Sequence, residues 1–298
     1  MIKLNSYDVL IIGHPCKDVN VEYTGETQFS VGGAVIYSVH SAVACGARVG
    51  AVMKYAPEDK GTVDNIPLSP ADVYFRPAER TTSIRNEYLS ADRERRRCRA
   101  VAPTETIYIE DIPPVSVGAY QLAGLMRGDY DPGMIVDLSK QGPVGADAQG
   151  WLRYIEDNGD MITRDWPEIK EYLPYITWFK TDAAEAEILT GLTETRKAAE
   201  CIRGWGAKEV MVSHNTEMVV CTSDGISSWP VVSRKIAGRT GRGDTIFAAY
   251  IAERRHSGPD DALRFATAAV SLKMEMPTPL IATRAEIQSY MDMLLPKP

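Results

Sequence analysis

Short apolar runs alternate with helical patterns along most of this 298-residue chain, and this alternation constrains the fold more than any other feature. Runs such as DVLIIG, VGAVMK, ITWFK and EVMVS have the length and β-branched content of buried strands. Between them lie segments such as GPDDALRFATAAVSLKM, in which the apolar residues follow the i, i+3, i+4 spacing of a helix with one buried face. Strands that alternate with helices predict an α/β fold with a mainly parallel central sheet covered on both faces.

Two segments depart from this alternation. Residues 19–31 and 80–101 each contain two strand-like arms around a polar turn, a pattern typical of antiparallel hairpins. The second hairpin carries the basic run RERRRCR, residues 93–99, which we interpret as solvated arginines, with contacts to an anionic ligand as the alternative. No repeat or long linker divides the chain, so the sequence predicts a single domain over residues 1–298 with a small β appendage.

The composition argues against several classes of function. The net charge is −7, so a basic surface for nucleic acid is not expected. The apolar run at residues 9–12 is too short for a signal peptide or a membrane span. The cysteines are scattered, odd in number and without a CxxC pair, which favours reduced thiols. We therefore expect a cytoplasmic protein whose partner is a small molecule.

The segment GRTGRGDTIFAAY, residues 238–250, joins a glycine-rich turn to a helix-forming run. The backbone amides at the start of a helix are unpaired and lie at the positive end of the helix dipole, so such a turn binds anions. Gly241 and Gly243 can adopt positive φ and let a phosphate approach the main chain. Asp244 would then lie beside the anion, where a carboxylate can accept a proton from an attacking hydroxyl. From these residues alone, a simple N-cap role for Asp244 remains the alternative.

This segment resembles the TGAGD-type signature of ribokinase-like (PfkB-type) carbohydrate kinases. The segment SVGGAVIYSVHSAVACGARVG, residues 30–50, resembles the family's N-terminal GG-containing segment, and FKTDAAEAEILTG, residues 179–191, resembles its NxxE segment. The resemblance covers nearly the whole chain. It implies a ribokinase-like three-layer sandwich in which the two hairpins form a small β lid, with a homodimer formed through that lid. It also implies ATP and Mg²⁺ as cofactors in the phosphorylation of a hydroxyl of a sugar, polyol or nucleoside.

Carried over residue by residue, the resemblance assigns catalysis to the glycine-rich segment, with Asp244 as general base. The implied anion hole consists of three consecutive residues, Gly241, Arg242 and Gly243. Arg242 stands where the family usually has alanine and adds a positive charge. Glu185 is implied to organise Mg²⁺ around the phosphates, and Asp182 stands where the family has asparagine. The spacing of these two acidic residues also fits a helix capping box, which needs no chemistry.

The acceptor site is implied to lie near the N-terminal segments. Asp18 is expected to end the first strand, at the carboxyl edge where open α/β sheets bind ligands, and the resemblance implies that its carboxylate binds two vicinal hydroxyls. A surface aspartate at a strand end is the alternative. The other candidates are Gly32, Gly33, Tyr37 and Asp147. Tyr37 stands where ribokinase has an asparagine. Because an aromatic ring there could stack on a base, a nucleoside kinase remains an alternative function. The segment GADAQGWLR, residues 145–153, resembles a stretch of an inositol-kinase-like subgroup, which favours a cyclitol such as myo-inositol or a hexose-like polyol.

The donor site is implied near the segment VSHNTEM, which lacks the glycines of the family's nucleotide segment. It offers Ser213 and Asn215 as nucleotide-binding candidates, beside Arg239 and Thr240 of the signature. Gly238 stands where the family has an aspartate that helps to hold a monovalent cation, and Arg239 brings a permanent charge into the same loop. The altered segment leaves open a catalytically silent sugar- or nucleotide-binding protein of the same fold.

Overall fold

The structure is a computed structural model that describes residues 5–91 and 95–297. The start of the basic run, Arg93 and Glu94, lies outside the described residues. The strands are β1 (Ser6–Tyr7), β2 (Val9–Gly13), β3 (Cys16–Val21), β4 (Thr27–Gly32), β5 (Val49–Tyr55), β6 (Val73–Pro77), β7 (Thr82–Tyr88), β8 (Arg96–Ala102), β9 (Ser116–Val117), β10 (Tyr120–Leu122), β11 (Val144–Asp147), β12 (Arg153–Ile155), β13 (Met161–Thr163), β14 (Trp178–Asp182), β15 (Glu209–Ser213), β16 (Glu217–Thr222) and β17 (Gly225–Pro230). The α-helices are α1 (Ala34–Ala44), α2 (Gly133–Ser139), α3 (Gln149–Leu152), α4 (Ile169–Tyr172), α5 (Ala183–Thr190), α6 (Thr195–Gly204), α7 (Arg242–Glu253), α8 (Pro259–Met274) and α9 (Arg284–Leu294). None of the helices described here has the length and apolarity needed to cross a bilayer.

The central sheet confirms the predicted α/β class. In the described part of the chain it has nine strands in the order β17-β16-β15-β14-β11-β10-β2-β5-β6. The strands from β15 to β6 pair in parallel, whereas β16 and β17 extend one edge in antiparallel pairing. Parallel neighbours need long crossover connections, and the helices between the strands supply many of them.

Alternate residues of the central strands feed two hydrophobic cores on opposite faces of the sheet. In β2, Val9 and Ile11 belong to the core that includes α1, α7, α8 and α9. Leu10 and Ile12 belong to the core that includes α2, α5 and α6. Burial on both faces explains why this strand is a continuous apolar run in the sequence. The layers are therefore helix, sheet and helix, as predicted.

A second sheet carries both predicted hairpins. Its strand order is β4-β3-β7-β8, and we call these four strands the appended sheet. The pairs β3–β4 and β7–β8 are antiparallel, while β3 and β7 pair in parallel along Cys16–Val21. The two hairpins thus form one continuous sheet, and the first of them begins earlier than the predicted residue 19.

The position of Asp18 differs from the prediction. The first long strand, β2, ends at Gly13, and His14 and Pro15 separate it from β3. Because proline cannot donate to a sheet ladder, it interrupts pairing at this point. Asp18 therefore belongs to the appended sheet and does not end a strand of the central sheet.

Three parallel strands of the central sheet end with polar residues at the same edge. Strands β11, β14 and β15 end at Asp147, Asp182 and Ser213. The register pairs Asp147 with Lys180 and Asp182 with Ser213, so these strand ends are neighbours. Open α/β sheets bind their ligands at this carboxyl edge.

Candidate active site

The glycine-rich segment forms the N-terminus of α7, as predicted. Gly241 is the N-cap, with φ 76°, and the helix begins at Arg242. Asp244 lies within the first turn of the helix and is not its N-cap, so the capping alternative is wrong. A Cβ atom at Gly241 would lie 2.0 Å from the Cδ1 atom of Tyr37. The turn therefore packs directly against Tyr37, and only glycine fits there.

The positive φ predicted for Gly243 is wrong, because this residue is helical. A Cβ atom at this position would lie 2.8 Å from Lys180 Nζ, so the missing side chain makes room for the lysine. Lys180 is 5% exposed, and its ammonium donates to both carboxylate oxygens of Asp147 at 3.2 and 3.0 Å. Burial lowers the pKa of Lys180, but Asp147 and other carboxylates raise it further, and the net direction is upward. A permanent positive charge thus lies against the first turn of α7.

Asp244 is half-buried close to these charges. Desolvation raises its pKa to about 6 and Asp147 acts in the same direction, while Lys180 and Arg153 oppose the shift. A carboxyl group with this pKa accepts a proton more readily than an ordinary aspartate and is still mostly ionised at pH 7. The surroundings of Asp244 therefore give it the properties that a general base requires.

Asp182 and Glu185 form the predicted capping box at the start of α5. Asp182 Oδ1 accepts from the Glu185 amide at 2.8 Å, and Glu185 Oε2 accepts from the Asp182 amide at 2.9 Å. Burial raises the pKa of Glu185 to about 7, although Lys180 opposes the shift. Among the described residues, no cluster of three or more acidic, histidine or cysteine side chains is arranged to hold a metal ion. A Mg²⁺ ion at Glu185 would therefore need oxygen ligands from the phosphate donor and from water.

One face of the appended sheet is lined with hydrogen-bonding side chains around Asp18. Cys16 Sγ donates to Asp18 Oδ1 at 3.2 Å, and the side chain of Asn86 also hydrogen-bonds Asp18. Asn86 Nδ2 donates to Asn20 Oδ1 at 3.2 Å, and Asn20 Nδ2 donates to Ser30 Oγ at 2.9 Å. Burial raises the pKa of Asp18, although these donors act against the shift. Such a row of donors and acceptors matches a ligand with several hydroxyl groups.

Gly32, Gly33 and Tyr37 connect this face to α7. A Cβ atom at Gly32 would lie 2.3 Å from Asp18 Oδ2, and Gly33 has φ 100° at the N-cap of α1. Tyr37 is 8% exposed. Burial raises its pKa, and the charges of Asp18 and Asp244 act in the same direction. Tyr37 is therefore close to both carboxylates, so the structure brings the predicted acceptor and base residues together.

The donor candidates lie in different surroundings from one another. Arg242 Nη1 donates to Asn215 Oδ1 at 2.8 Å. Burial lowers the pKa of Arg242, and the charge of Arg239 acts in the same direction, so the two guanidinium groups are neighbours. Ser213 is buried, and its hydroxyl donates to the main chain of β14 at 3.4 Å, which directs it into the sheet. Thr240 is exposed in the turn. The structure thus brings together three of the donor candidates, Arg239, Arg242 and Asn215. The hydroxyl of Ser213 points into the sheet and is not part of this group.

Three buried polar residues near the site are not predicted from the sequence: Lys180, Asn86 and Lys273. Each of them occupies a position on the buried face of its strand or helix. Lys180 interrupts the apolar run of β14, and Asn86 alternates with the buried Ile84 and Tyr88 of β7. Lys273 follows Ala269 and Val270 by helical spacing in α8. Because a buried polar residue needs a partner, a polar residue at an apolar position was the available signal.

Comparisons with known proteins find relatives for both the sequence and the fold. Residues 151–279 match the family model described as pfkB family carbohydrate kinase. A comparison with curated protein sequences gave no match. A solved pyrophosphate-dependent kinase in the ribokinase family, complexed with a pyrophosphate analog and myo-inositol, is 30% identical with a TM-score of 0.85, covering 94% of this chain and 99% of that chain. A pyrophosphate-dependent myo-inositol-1 kinase, converted by substitution into a myo-inositol-3 kinase, is 29% identical with a TM-score of 0.83, covering 96% and 98%. The ribokinase of Arabidopsis thaliana, complexed with ribose and ATP, has a TM-score of 0.75 at 17% identity, covering 96% and 99%, which shows a shared fold.

Proposed function

Since the chain belongs to the ribokinase family of carbohydrate kinases, we propose that it phosphorylates a hydroxyl of a cyclitol such as myo-inositol with inorganic pyrophosphate as donor. Family membership makes it a sugar or polyol kinase. The donor and the acceptor are argued below from this chain's own residues. ATP, the donor implied by the sequence, is the alternative.

The observation that carries the donor assignment is the hydrogen bond between Arg242 and Asn215. It holds a guanidinium group beside the phosphate-binding turn, at a position where the family signature has a small residue. Arg239 lies next to it, and Lys180 lies against the same helical turn. Three cations around a helix N-terminus match the dense charge of pyrophosphate, which presents no base or ribose to recognise. The pyrophosphate dependence of a relative with 30% identity supports the same donor.

The acceptor assignment depends on the polar face of the appended sheet. Asp18, Asn20, Ser30 and Asn86 present donors and acceptors side by side, as a ring with a hydroxyl on each carbon requires. A nucleoside would need an open aromatic face for its base. Tyr37 packs against Gly241 and is almost fully buried, so it has little surface for stacking.

The proposed mechanism follows from these positions. Asp18 binds acceptor hydroxyls and fixes the ring, and Asp244 accepts the proton of the attacking hydroxyl. The amides of Gly241, Arg242 and Gly243 and the charge of Lys180 stabilise the transferred phosphoryl group, and inorganic phosphate leaves. Glu185 and Asp182 would hold Mg²⁺ through its water ligands, and the bound ion would neutralise charge on the donor. We also propose that residues 1–298 act as one kinase domain and that the appended sheet closes over the acceptor as a lid.

The test is a grid of donors and acceptors, with products identified by ³¹P NMR. Pyrophosphate and ATP are each combined with myo-inositol, glucose, ribose and inosine. We expect inositol monophosphate from pyrophosphate, with kcat/KM about 100-fold or more above the value with ATP. Arg242→Ala should remove this preference, whereas Lys235→Ala, which changes an exposed cation of the same loop, should not. Equal use of both donors by the unmodified chain would contradict the donor assignment.

A further inference from the structure

Lys273 of α8 is a fully buried lysine that the proposed mechanism does not use. Its ammonium donates to the carbonyl oxygen of Gly238 at 3.1 Å and lies 5.6 Å from the ring centroid of Tyr37. Within the described residues it forms no ion pair. Its direct partners are therefore one neutral carbonyl group and one aromatic face.

This arrangement is unfavourable for folding. Burial lowers the pKa of Lys273 to about 8, and the attraction of Asp244 only partly opposes the shift. A buried charge that lacks a hydrogen-bonded counter-ion costs stability, and a carbonyl group and a ring offset only part of that cost. An apolar side chain would suit this position of α8 better, so packing alone does not explain the lysine.

The surroundings of the ammonium connect it to the phosphate-binding turn. Gly238 begins the glycine-rich segment, and Tyr37 packs against Gly241 at its end. The titratable groups that face the ammonium are Tyr37 from α1 and Asp244 from α7. Lys273 thus contacts Gly238, at the start of the turn, and Tyr37, which packs against the end of the turn.

We propose that Lys273 is a positioning residue that fixes the turn of residues 238–243 and adds a positive charge behind its amides. The turn then binds phosphoryl oxygens more tightly, and Asp244 is held in the field of a cation. Lys273 acts through the turn and does not touch the reacting atoms. The inference deepens the proposed function and depends on it for the identity of the phosphoryl donor.

The experiment compares the 298-residue wild type with Lys273→Met and Lys273→Arg. Sulfate binding, measured by calorimetry, reports the anion affinity of the turn, and thermal unfolding reports stability. For Lys273→Met we expect sulfate affinity to fall about tenfold and kcat to fall by about one to two orders of magnitude, with an unchanged KM for the acceptor. We also expect its Tm at pH 7 to rise, because methionine removes a buried charge at similar volume. Lys273→Arg should recover anion affinity.

The pH dependence of the wild type provides a readout that needs no variant. Lys273 is charged below its pKa of about 8, so sulfate affinity should be highest below pH 8 and should decrease above it. In Lys273→Met this decrease should vanish. The proposal is wrong if Lys273→Met binds sulfate like the wild type, if its Tm falls together with its affinity, or if wild-type affinity does not change between pH 7 and 9. Because sulfate is not a phosphoryl donor, failure to use pyrophosphate would refute the proposed function and leave this test intact.

Discussion

The carboxyl group of Asp244 owes its acid–base behaviour to its neighbours. A carboxylate in the exposed first turn of a helix is stabilised by the helix dipole, which lowers its pKa. In this chain desolvation and Asp147 outweigh that effect and raise the pKa to about 6. The signature motif therefore predicts where the base lies, but the tertiary structure determines how it titrates.

Replacing Asp244 with asparagine keeps the shape of the residue and removes its ability to accept a proton. We expect Asp244→Asn to lower kcat by about 10²–10⁴-fold with little change in acceptor KM, measured by steady-state kinetics. Asp244 must be ionised to act, so wild-type kcat/KM should fall below about pH 6, by about tenfold for each pH unit. The residual activity of the variant should lack this acid limb.

The matched control for this substitution is Asp261→Asn, because Asp261 is an exposed aspartate in the first turn of α8. It should retain wild-type kinetics. If Asp244→Asn also retained wild-type turnover, Asp244 would have only a structural role and the proposed mechanism would be wrong.

At the level of elements, the appended sheet carries two predictions, a dimer contact and a lid. Its strand β4 is an edge strand, and the side chain of Phe29 on it is 80% exposed. Homodimerisation through this sheet stays a prediction, for which an uncovered edge is a suitable surface. Closure over the acceptor would exclude water from the transferred phosphoryl group.

Closure predicts a change in hydrogen exchange. Binding of myo-inositol should protect the amides of residues 80–91 and 95–101, because they belong to the sheet that carries the acceptor face. Amides of α9, which packs against α8, serve as the internal control and should not change. Asp18→Ala should abolish the protection by removing an acceptor contact. Equal exchange with and without myo-inositol would mean that this sheet is not a lid.

The sequence predicted the elements better than their arrangement. The strands β2, β5, β14 and β15, the helix α8 and both hairpins follow from local periodicity, and the structure confirms them. The parallel pairing of β3 with β7 could not be predicted, because nothing local determines how two distant hairpins align. For the same reason the motifs named Asp244 and Asp182 but missed Lys180 and Asn86, which reach the site through strand pairing.

At the scale of the whole molecule, the site brings together residues that are far apart in the sequence and belong to different layers of the fold. The turn before α7 belongs to one helical layer, Asp147 and Lys180 belong to the central sheet, and Asp18 belongs to the appended sheet. This arrangement exists only in the native state, so a donor bound at the turn and its cations has no equivalent partner in the unfolded chain. Donor binding should therefore stabilise the entire fold.

Thermal unfolding measures this stabilisation directly. At about a hundredfold excess over Kd, pyrophosphate should raise Tm on the order of 5 °C, whereas ATP at equal concentration should raise it less. Asp244→Asn should keep the shift because it removes a proton acceptor and retains the anion site. Arg242→Ala should lose most of it. A shift that sodium chloride reproduces at the same ionic strength would contradict specific binding of the donor.

The pairing of β3 with β7 also bears on how acceptor specificity can be exchanged between related proteins. The polar face around Asp18 is assembled from two hairpins, β3–β4 and β7–β8, that are linked by the ladder between β3 and β7. A chimaera that received only one hairpin would have to match a foreign ladder partner and would divide the hydrogen-bonded row between Asn20 and Asn86. The two hairpins therefore form one structural unit, and a graft of acceptor specificity has to transfer both of them together.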